Sequence, residues 1–524
     1  MITNWVNRIK LMPALWLAFG VTIYSFFLRF WMHAKLKTTV YDLYFFDQPT
    51  WNAAHGKGLL TSILNQSLMA DHFYPIFYFL SLFYRIHATP AWLFLFGALC
   101  FGVMSYPIFK LAHQYFGRRG LWGIAILLVA YYPFQMALVQ DLHGEILMAP
   151  LMAWLIYFLE KKQDLWAVIL GVAFIFTKET AAVFVIPLGI YYLVVRRRYW
   201  LGAGLVVVGL IGMALVFKVI LPAFHTVSYP YVSRYGYLGD SFRGILHTML
   251  FRPQVVIMHL VSFQTLGYLV GILVPFSFLP LLSPYMILGA GVIFQNVMAE
   301  ASTMMSDFST HYTIPLIPLV FMSFILKLKQ YRDTQSPEKW EKTKKITRRV
   351  AIFCVALSSF LFVFLQLRNF IVPVAHVRAS YEAMALVPPN ASVSASTHYM
   401  VHMSYRDNIN LYPDSKARPD YFVIECQAPY FAPDKDASEY IKEEWEKGSK
   451  PSVILALAKG DREEWRHGSM RKVLLALVMG DTIPRLSDSP YLMGVKTLSQ
   501  DPEYETIFDR DGVKVFRKKA PTAI

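Results

Sequence analysis

Apolar runs of roughly 12–24 residues recur along this chain from its N-terminus to about residue 372, separated by short polar links. No other feature limits the fold as strongly. A run of about 20 apolar residues is the length that crosses a bilayer as a helix. In the hydrocarbon core no water is available to backbone amides and carbonyls, so such a segment must satisfy its hydrogen bonds internally. Composition agrees: 56% of residues are hydrophobic and 16% charged, against roughly 25% charged in a soluble chain. The sequence therefore reads as a polytopic α-helical membrane protein.

About eleven spans are expected. They are Leu11–Met32, Pro90–His113, Leu121–Val139, Ile146–Leu159, Leu165–Phe176, Ala181–Val195, Leu201–Leu221, Val255–Val274, Pro284–Val297, Tyr312–Leu328 and Val350–Val372. The segment Phe73–Tyr84 is apolar but short and ends at Arg85, so it reads as a helix lying in the interface. Basic clusters test this choice. With eleven spans, Arg118-Arg119, Lys161-Lys162, Arg196-Arg197-Arg198 and the stretch Lys327–Arg349 all fall on the face of Arg8 and Lys10. A span at 73–84 would move the later clusters to the opposite face. The first run follows Arg8 and Lys10, is too long for a cleaved signal and reads as a signal anchor with a cytoplasmic N-terminus.

The net charge of +15 and pI near 9.4 are explained by these clusters and by attraction to anionic membrane lipids, which removes nucleic acid as the expected partner. Cys100, Cys354 and Cys426 are far apart in sequence and form no C-x-x-C, so neither a disulfide nor a cysteine metal site is expected. No G-x-x-x-x-G-K-[ST] occurs, which excludes a P-loop ATPase. Asn390-Ala391-Ser392 matches a glycosylation sequon, a weak pattern.

The chain divides into a transmembrane part, residues 1–376 with its first outer loop at 33–89, and a polar part, 377–524. The second part carries β-like runs at Ser392–Ser396, Tyr421–Glu425, Val453–Ala456 and Val513–Arg517, with a charged helical stretch at Ala437–Lys447. It reads as a small extracytoplasmic α/β domain. Val453–Asp461 and Val473–Asp481 are loosely similar.

The remaining ionisable residues gather on the face opposite the basic clusters. Asp42 and Asp47 follow the first span, in Tyr41-Asp42-Leu43-Tyr44-Phe45-Phe46-Asp47-Gln48. A carboxylate beside the bilayer, partly desolvated, serves as a general base, or else caps a helix. Five residues apart, the two are off-register for one α-helical face. Asp71-His72 adds an acid and a group titrating near neutrality, or a cap for the interfacial helix. Asp141-x-His143-x-Glu145 suits a divalent metal or a sugar diphosphate, or the first turn of a helix. Lys178-Glu179 interrupts two short apolar runs and offers a cation for a phosphate, or forms a solvated hairpin tip. Arg234 and Arg243 in the long outer loop Tyr229–Arg252, and His311 after Asp307, are lesser candidates for phosphate contact.

The order of these features resembles the GT-C superfamily of integral-membrane glycosyltransferases. An acidic motif directly follows the first span, an interfacial helix with a His/Pro entry (His72 to Pro75) precedes the second, and the second ends in Phe116-Gly117-Arg118-Arg119. More closely, Tyr41–Gln48, Asp71–Phe73, Asp141–Glu145, Lys178-Glu179 and the run Val387–Ser394 resemble a bacterial family of predicted membrane proteins of unassigned function. The resemblance implies a GT-C-like fold in the bacterial cytoplasmic membrane. It implies transfer of a sugar from a polyprenyl-phosphate donor to an envelope glycan, lipid or protein on the outer face, with inversion. Asp42 or Asp47 is then the base, and Lys178 neutralises the departing lipid phosphate. The Asp-Glu pair that many superfamily members carry at the first acidic site is absent, and no large sequon-reading module is present. The other class open to the sequence is a transporter or flippase of a lipid-linked or anionic solute; His259, Gln264, Gln295 and Asn296 are its clearest mid-span polar residues.

Overall fold

A computed structural model describes residues 2–224, 230–299, 304, 311–370, 374–413, 418–426 and 490–520. The chain forms two compact units. The first comprises Met1–Trp31, Pro49–Thr61 and Gln66–Phe362; the second comprises Met32–Gln48, Ser62–Asn65 and Val363–Ile524.

In chain order the helices are α1 (Ile2–Ala34), α2 (Phe45–Ala54), α3 (Leu68–Asp71), α4 (Ile76–Tyr84), α5 (Ala91–Ala130), α6 (Tyr132–Leu138), α7 (Gly144–Glu160), α8 (Asp164–Ile175), α9 (Ala182–Val194), α10 (Tyr199–Leu215) and α11 (Leu221–Phe224). They continue with α12 (Phe242–Phe251), α13 (Pro253–Leu260), α14 (Phe263–Leu273), α15 (Ile287–Met298), α16 (Leu316–Thr334) and α17 (Pro337–Phe370). Helices α5, α7 and α16 pack together, as do α8, α9 and α10. Among the described residues five helices are long and apolar enough to cross a membrane by length and composition, and the bent pair α13–α14 makes a sixth. Eleven was the expectation. The segments 164–175, 179–194 and 284–298 are apolar helices shorter than that test requires.

Three expected spans differ in shape for identifiable reasons. Pro90–His113 and Leu121–Val139 run into one another as α5, broken at Gly117, whose φ of 66° and ψ of −163° lie outside the helical region. Glycine occupies such a conformation without a Cβ penalty. Val255–Val274 is bent by 52° between α13 and α14. There Ser262 Oγ accepts from the amide of Thr265 at 3.1 Å, and the Thr265 hydroxyl donates to the His259 carbonyl at 2.6 Å. A side-chain cap in mid-span ends one helix and starts another. The short segment at 73–84 contains the nine-residue helix α4.

In the second unit, α18 (Val374–Ala385), α19 (Thr397–His402) and α20 (Pro490–Gln500) accompany a five-stranded mixed sheet. Its strands, in chain order, are β1 (Val393–Ala395), β2 (Ile409–Leu411), β3 (Tyr421–Glu425), β4 (Tyr504–Arg510) and β5 (Val513–Lys518). The spatial order is β2-β1-β3-β5-β4. β1 is parallel to β2 and β3, whereas β5 is antiparallel to β3 and β4. Tyr412, Phe422, Ile424, Val495, Leu498, Tyr504 and Phe516 form its apolar core. Three strands coincide with expected β-like runs; β2 and β4 carry too little alternation to be read beforehand. Val453–Ala456, Ala437–Lys447, the two similar segments, Tyr229 and Asp307 lie outside the described residues.

Candidate functional site

The first unit gathers ionisable side chains from six chain segments. The first segment is α3 and the residues after it. Ser67 caps α3 by accepting from the Met69 amide at 3.2 Å, and His72 leaves the helix in an extended conformation. That exit turns the chain so that two groups grip Glu179: His72 Nδ1 lies 2.8 Å from Oε1, and the Phe73 amide donates to Oε2 at 3.1 Å. On its other side His72 Nε2 lies 3.6 Å from Asp71 Oδ2. The Tyr231 hydroxyl donates to Asp71 Oδ1 at 2.7 Å, and its ring stacks on His72 at 4.4 Å. The imidazole thus stands between two carboxylates, an arrangement that orients it.

The second segment enters α7. Asp141 is buried and its carboxylate lies 3.6 Å from Arg29 of α1, whose guanidinium also donates to the Ala137 carbonyl at 3.1 Å. His143 Nδ1 lies 3.0 Å from the Asp141 carbonyl, so that nitrogen carries the proton, and its ring stacks on His311 at 3.9 Å. Glu145 follows in the first helical turn, where the helix dipole favours a carboxylate. Gly144 permits what comes next. A Cβ there would meet the Thr177 carbonyl oxygen at 2.8 Å and a Tyr74 ring carbon at 2.6 Å, so only glycine lets the 177–178 turn approach this closely.

That approach delivers Lys178, whose Nζ donates to Glu145 Oε1 at 2.7 Å. Lys178 is 3% exposed and Glu145 5%. The Tyr74 and Tyr312 rings flank the ammonium at 5.9 and 5.7 Å. Burial works against the charge on Lys178, but the Glu145 and Glu179 carboxylates outweigh it and raise its pKa above the ordinary lysine value. The hairpin-tip alternative fails, because both Lys178 and Glu179 are buried. The other Glu145 oxygen, Oε2, lies 4.0 Å from His311 Nε2 and has no hydrogen-bond partner among the described residues. Glu145 lines a small cavity together with Thr180, Gln295, Asn296 and Tyr312.

Arg234, in the 3-10 turn Pro230–Tyr235, completes the group. Its guanidinium lies 4.3 Å from the Tyr231 ring centroid and 5.5 Å from that of Tyr312. Among the described residues it has no carboxylate partner. Lys178 is already neutralised by Glu145, so Arg234 is the cation with its charge uncommitted. Arg243, on α12, is exposed and takes no part.

Asp141, His143 and Glu145 do not converge as metal ligands. Asp141 turns to Arg29 and Glu145 to Lys178, so cations already sit where a metal would be needed. Among the described residues no group of three or more His, Cys, Asp or Glu is arranged to hold a metal ion.

Asp42 and Asp47 belong to the second unit. A π turn, Val40–Tyr44, leads into α2, so the phasing of a regular α-helix does not apply between them. The turn is tied down by the Val40 amide, which donates to Thr397 Oγ1 at 3.2 Å, and by His398 Nδ1, 3.0 Å from the Thr38 carbonyl. Asp42 is half-buried and accepts from the Thr39 hydroxyl at 2.8 Å. Asp47 is fully buried and accepts from the Tyr405 hydroxyl at 3.0 Å.

Sequence reasoning missed Arg29, Tyr74 and Tyr231; Tyr312 was a lesser candidate beside His311. Arg29 carried a signal, since an ionisable residue inside an apolar run calls for a partner. The two tyrosines carried none, being two of 31.

The family described as "Predicted membrane protein (DUF2079)" matches residues 32–450. Among solved structures, the crystal structure of ArnT from Cupriavidus metallidurans bound to undecaprenyl phosphate aligns over 84% of this chain and 95% of its own, with 13% identity and a TM-score of 0.46. Comparison with curated proteins gives no match.

Proposed function

The chain belongs to the DUF2079 family of predicted membrane proteins, and on that footing we propose that it is a membrane glycosyltransferase using a polyprenyl-phosphate sugar donor. The observation that carries this reading is Arg234, held on two tyrosine rings and without a carboxylate partner among the described residues, beside a buried network of ionisable side chains. Partly buried arginine on aromatic faces suits a phosphate, which accepts two parallel hydrogen bonds from the guanidinium. The order of acidic motifs noted in the sequence supports the same class.

In this mechanism Asp42 is the base. Its carboxylate takes the proton of an acceptor hydroxyl, whose oxygen forms a bond to the anomeric carbon. The bond from that carbon to the donor's phosphate oxygen breaks on the opposite face, and the electron pair leaves with the lipid phosphate. The sugar configuration inverts. Taken by itself, the first unit offers Arg234 as the group suited to binding a donor phosphate. Lys178, neutralised by Glu145, holds the site's geometry. Asp47, buried against Tyr405, contributes to stability. The acceptor is a glycan, lipid or protein of the envelope, reached on the outer face of the cytoplasmic membrane.

The test is release of polyprenyl phosphate from a panel of lipid-linked sugars by the protein in vesicles. Asp42→Asn lowers release by about 10²–10⁴-fold, the range for loss of a general base, and Arg234→Ala raises the donor KM. Unchanged release in both variants refutes the assignment. The bent helix pair α13–α14 favours the second reading, a transporter or flippase, because such proteins use discontinuous helices around a solute. It predicts donor translocation with no free polyprenyl phosphate.

A further inference from the structure

At the opposite chemical extreme from the acidic network, α5, α7 and α16 pack together and bring cations onto aromatic faces near Arg118-Arg119. Lys110 Nζ of α5 lies 4.8 Å from the centroid of Tyr157 and 5.6 Å from that of Tyr106. Lys161, just after α7, lies 5.7 Å from Tyr157 and 5.9 Å from Tyr115 and donates to Gln114 Oε1 at 3.0 Å. Lys329 of α16 lies 5.4 Å from Tyr115.

The carboxylates of this region are occupied elsewhere. Asp333 is paired with Lys329 at 3.1 Å and Arg332 at 2.9 Å, and Glu160 accepts from the Tyr285 hydroxyl at 3.3 Å. Among the described residues neither Lys110 nor Lys161 has a carboxylate partner. A ring face attracts an ammonium without neutralising it, so two lysines are fixed in place with their full charge available to an anion.

What surrounds them selects the kind of anion. Leu99, Val103, Tyr106 and Lys110 follow one another at spacings of four, three and four residues, which places them on one helix face. Leu99 and Val103 are 44% and 47% exposed. An exposed apolar stripe ending in a lysine matches an acyl chain leading to a phosphate, and lysine reaches such a boundary by laying its stem along the apolar surface. We propose that this end of α5, α7 and α16 binds the phosphate of an anionic phospholipid through Lys110 and Lys161, with its acyl chain along the Leu99–Val103 face. Basic pockets between membrane helices take such headgroups. The site is independent of sugar transfer.

The experiment uses the full chain in a neutral detergent, titrated with phosphatidylglycerol or phosphatidylcholine, with retained lipid counted by native mass spectrometry. Phosphatidylglycerol is retained and phosphatidylcholine is not. Each neutralised lysine weakens retention about fivefold, corresponding to about 1 kcal/mol per cation near an anionic surface, so Lys110→Gln with Lys161→Gln weakens it about 25-fold. Lys110→Arg with Lys161→Arg keeps the charge and retains the lipid, which separates charge loss from misfolding. Lys344→Gln with Lys345→Gln removes equal charge from the start of α17 and leaves retention unchanged. Three results overturn the proposal: equal loss in both Gln pairs, equal retention of phosphatidylcholine, or displacement of the lipid by inorganic phosphate at matching concentration.

Discussion

Replacing Lys178 by Met removes the cation from a pair that is almost without solvent contact. The Nζ–Oε1 bond is 2.7 Å, with side chains 3% and 6% exposed. Glu145 Oε2 has no hydrogen bond among the described residues, so the variant leaves Glu145 buried with His311 at 4.0 Å as a basic neighbour. Removing one partner of a buried pair costs about 3–5 kcal/mol, because the other charge stays desolvated. Lys178→Met should therefore destabilise the protein by that amount, whereas Lys178→Met with Glu145→Leu, which leaves no orphaned charge at this pair, should recover most of the loss. Denaturant unfolding of the detergent-solubilised protein, followed by tryptophan fluorescence, measures both. A single-variant loss below about 1 kcal/mol, or a double variant no better than the single, refutes the reasoning, since exposed pairs contribute only that little.

Gly144→Ala should cost about 1–3 kcal/mol and weaken the same pair, because its Cβ would stand 2.8 Å from the Thr177 carbonyl oxygen; Lys178→Met made on top of it should then lose less than in the wild type. Asp47→Asn should lower stability with release per folded molecule nearly unchanged, in contrast to Asp42→Asn, because Asp47 is fully buried against Tyr405; comparing unfolding with single-turnover release separates the two. In the second unit burial lowers the pKa of His376, but Glu425, 3.2 Å from Nε2, and the Asp511 carbonyl, 2.8 Å from Nδ1, raise it beyond the ordinary value. The folded state then holds the proton more tightly than the unfolded one. This stabilisation is complete below about pH 6.5 and is lost as pH rises through the higher folded pKa. His376→Gln should flatten the stability–pH curve over that window in unfolding measurements at several pH values.

Periodicity and composition carry the membrane class, because the cost of exposing backbone to hydrocarbon acts on every residue of a span. They also placed the short segments α8 and α9 within a residue or two, and the strands β1, β3 and β5. They did not carry the break at Gly117 or the bend at Ser262, since each depends on one residue whose alternatives look equally polar in sequence. The sequence identified the ionisable residues of the site by their rarity among apolar runs. It had no means of pairing them. Asp71 with Tyr231, His72 with Glu179 and Lys178 with Glu145 are 160, 107 and 33 residues apart, and contacts over such separations are set by packing, not by local pattern. Only the tertiary structure decided that Lys178 is neutralised, that Arg234 beside it has no carboxylate partner among the described residues, and that Asp47 is buried where Asp42 is not. A charge's role follows from the few ångströms around it, and those are filled by distant parts of the chain.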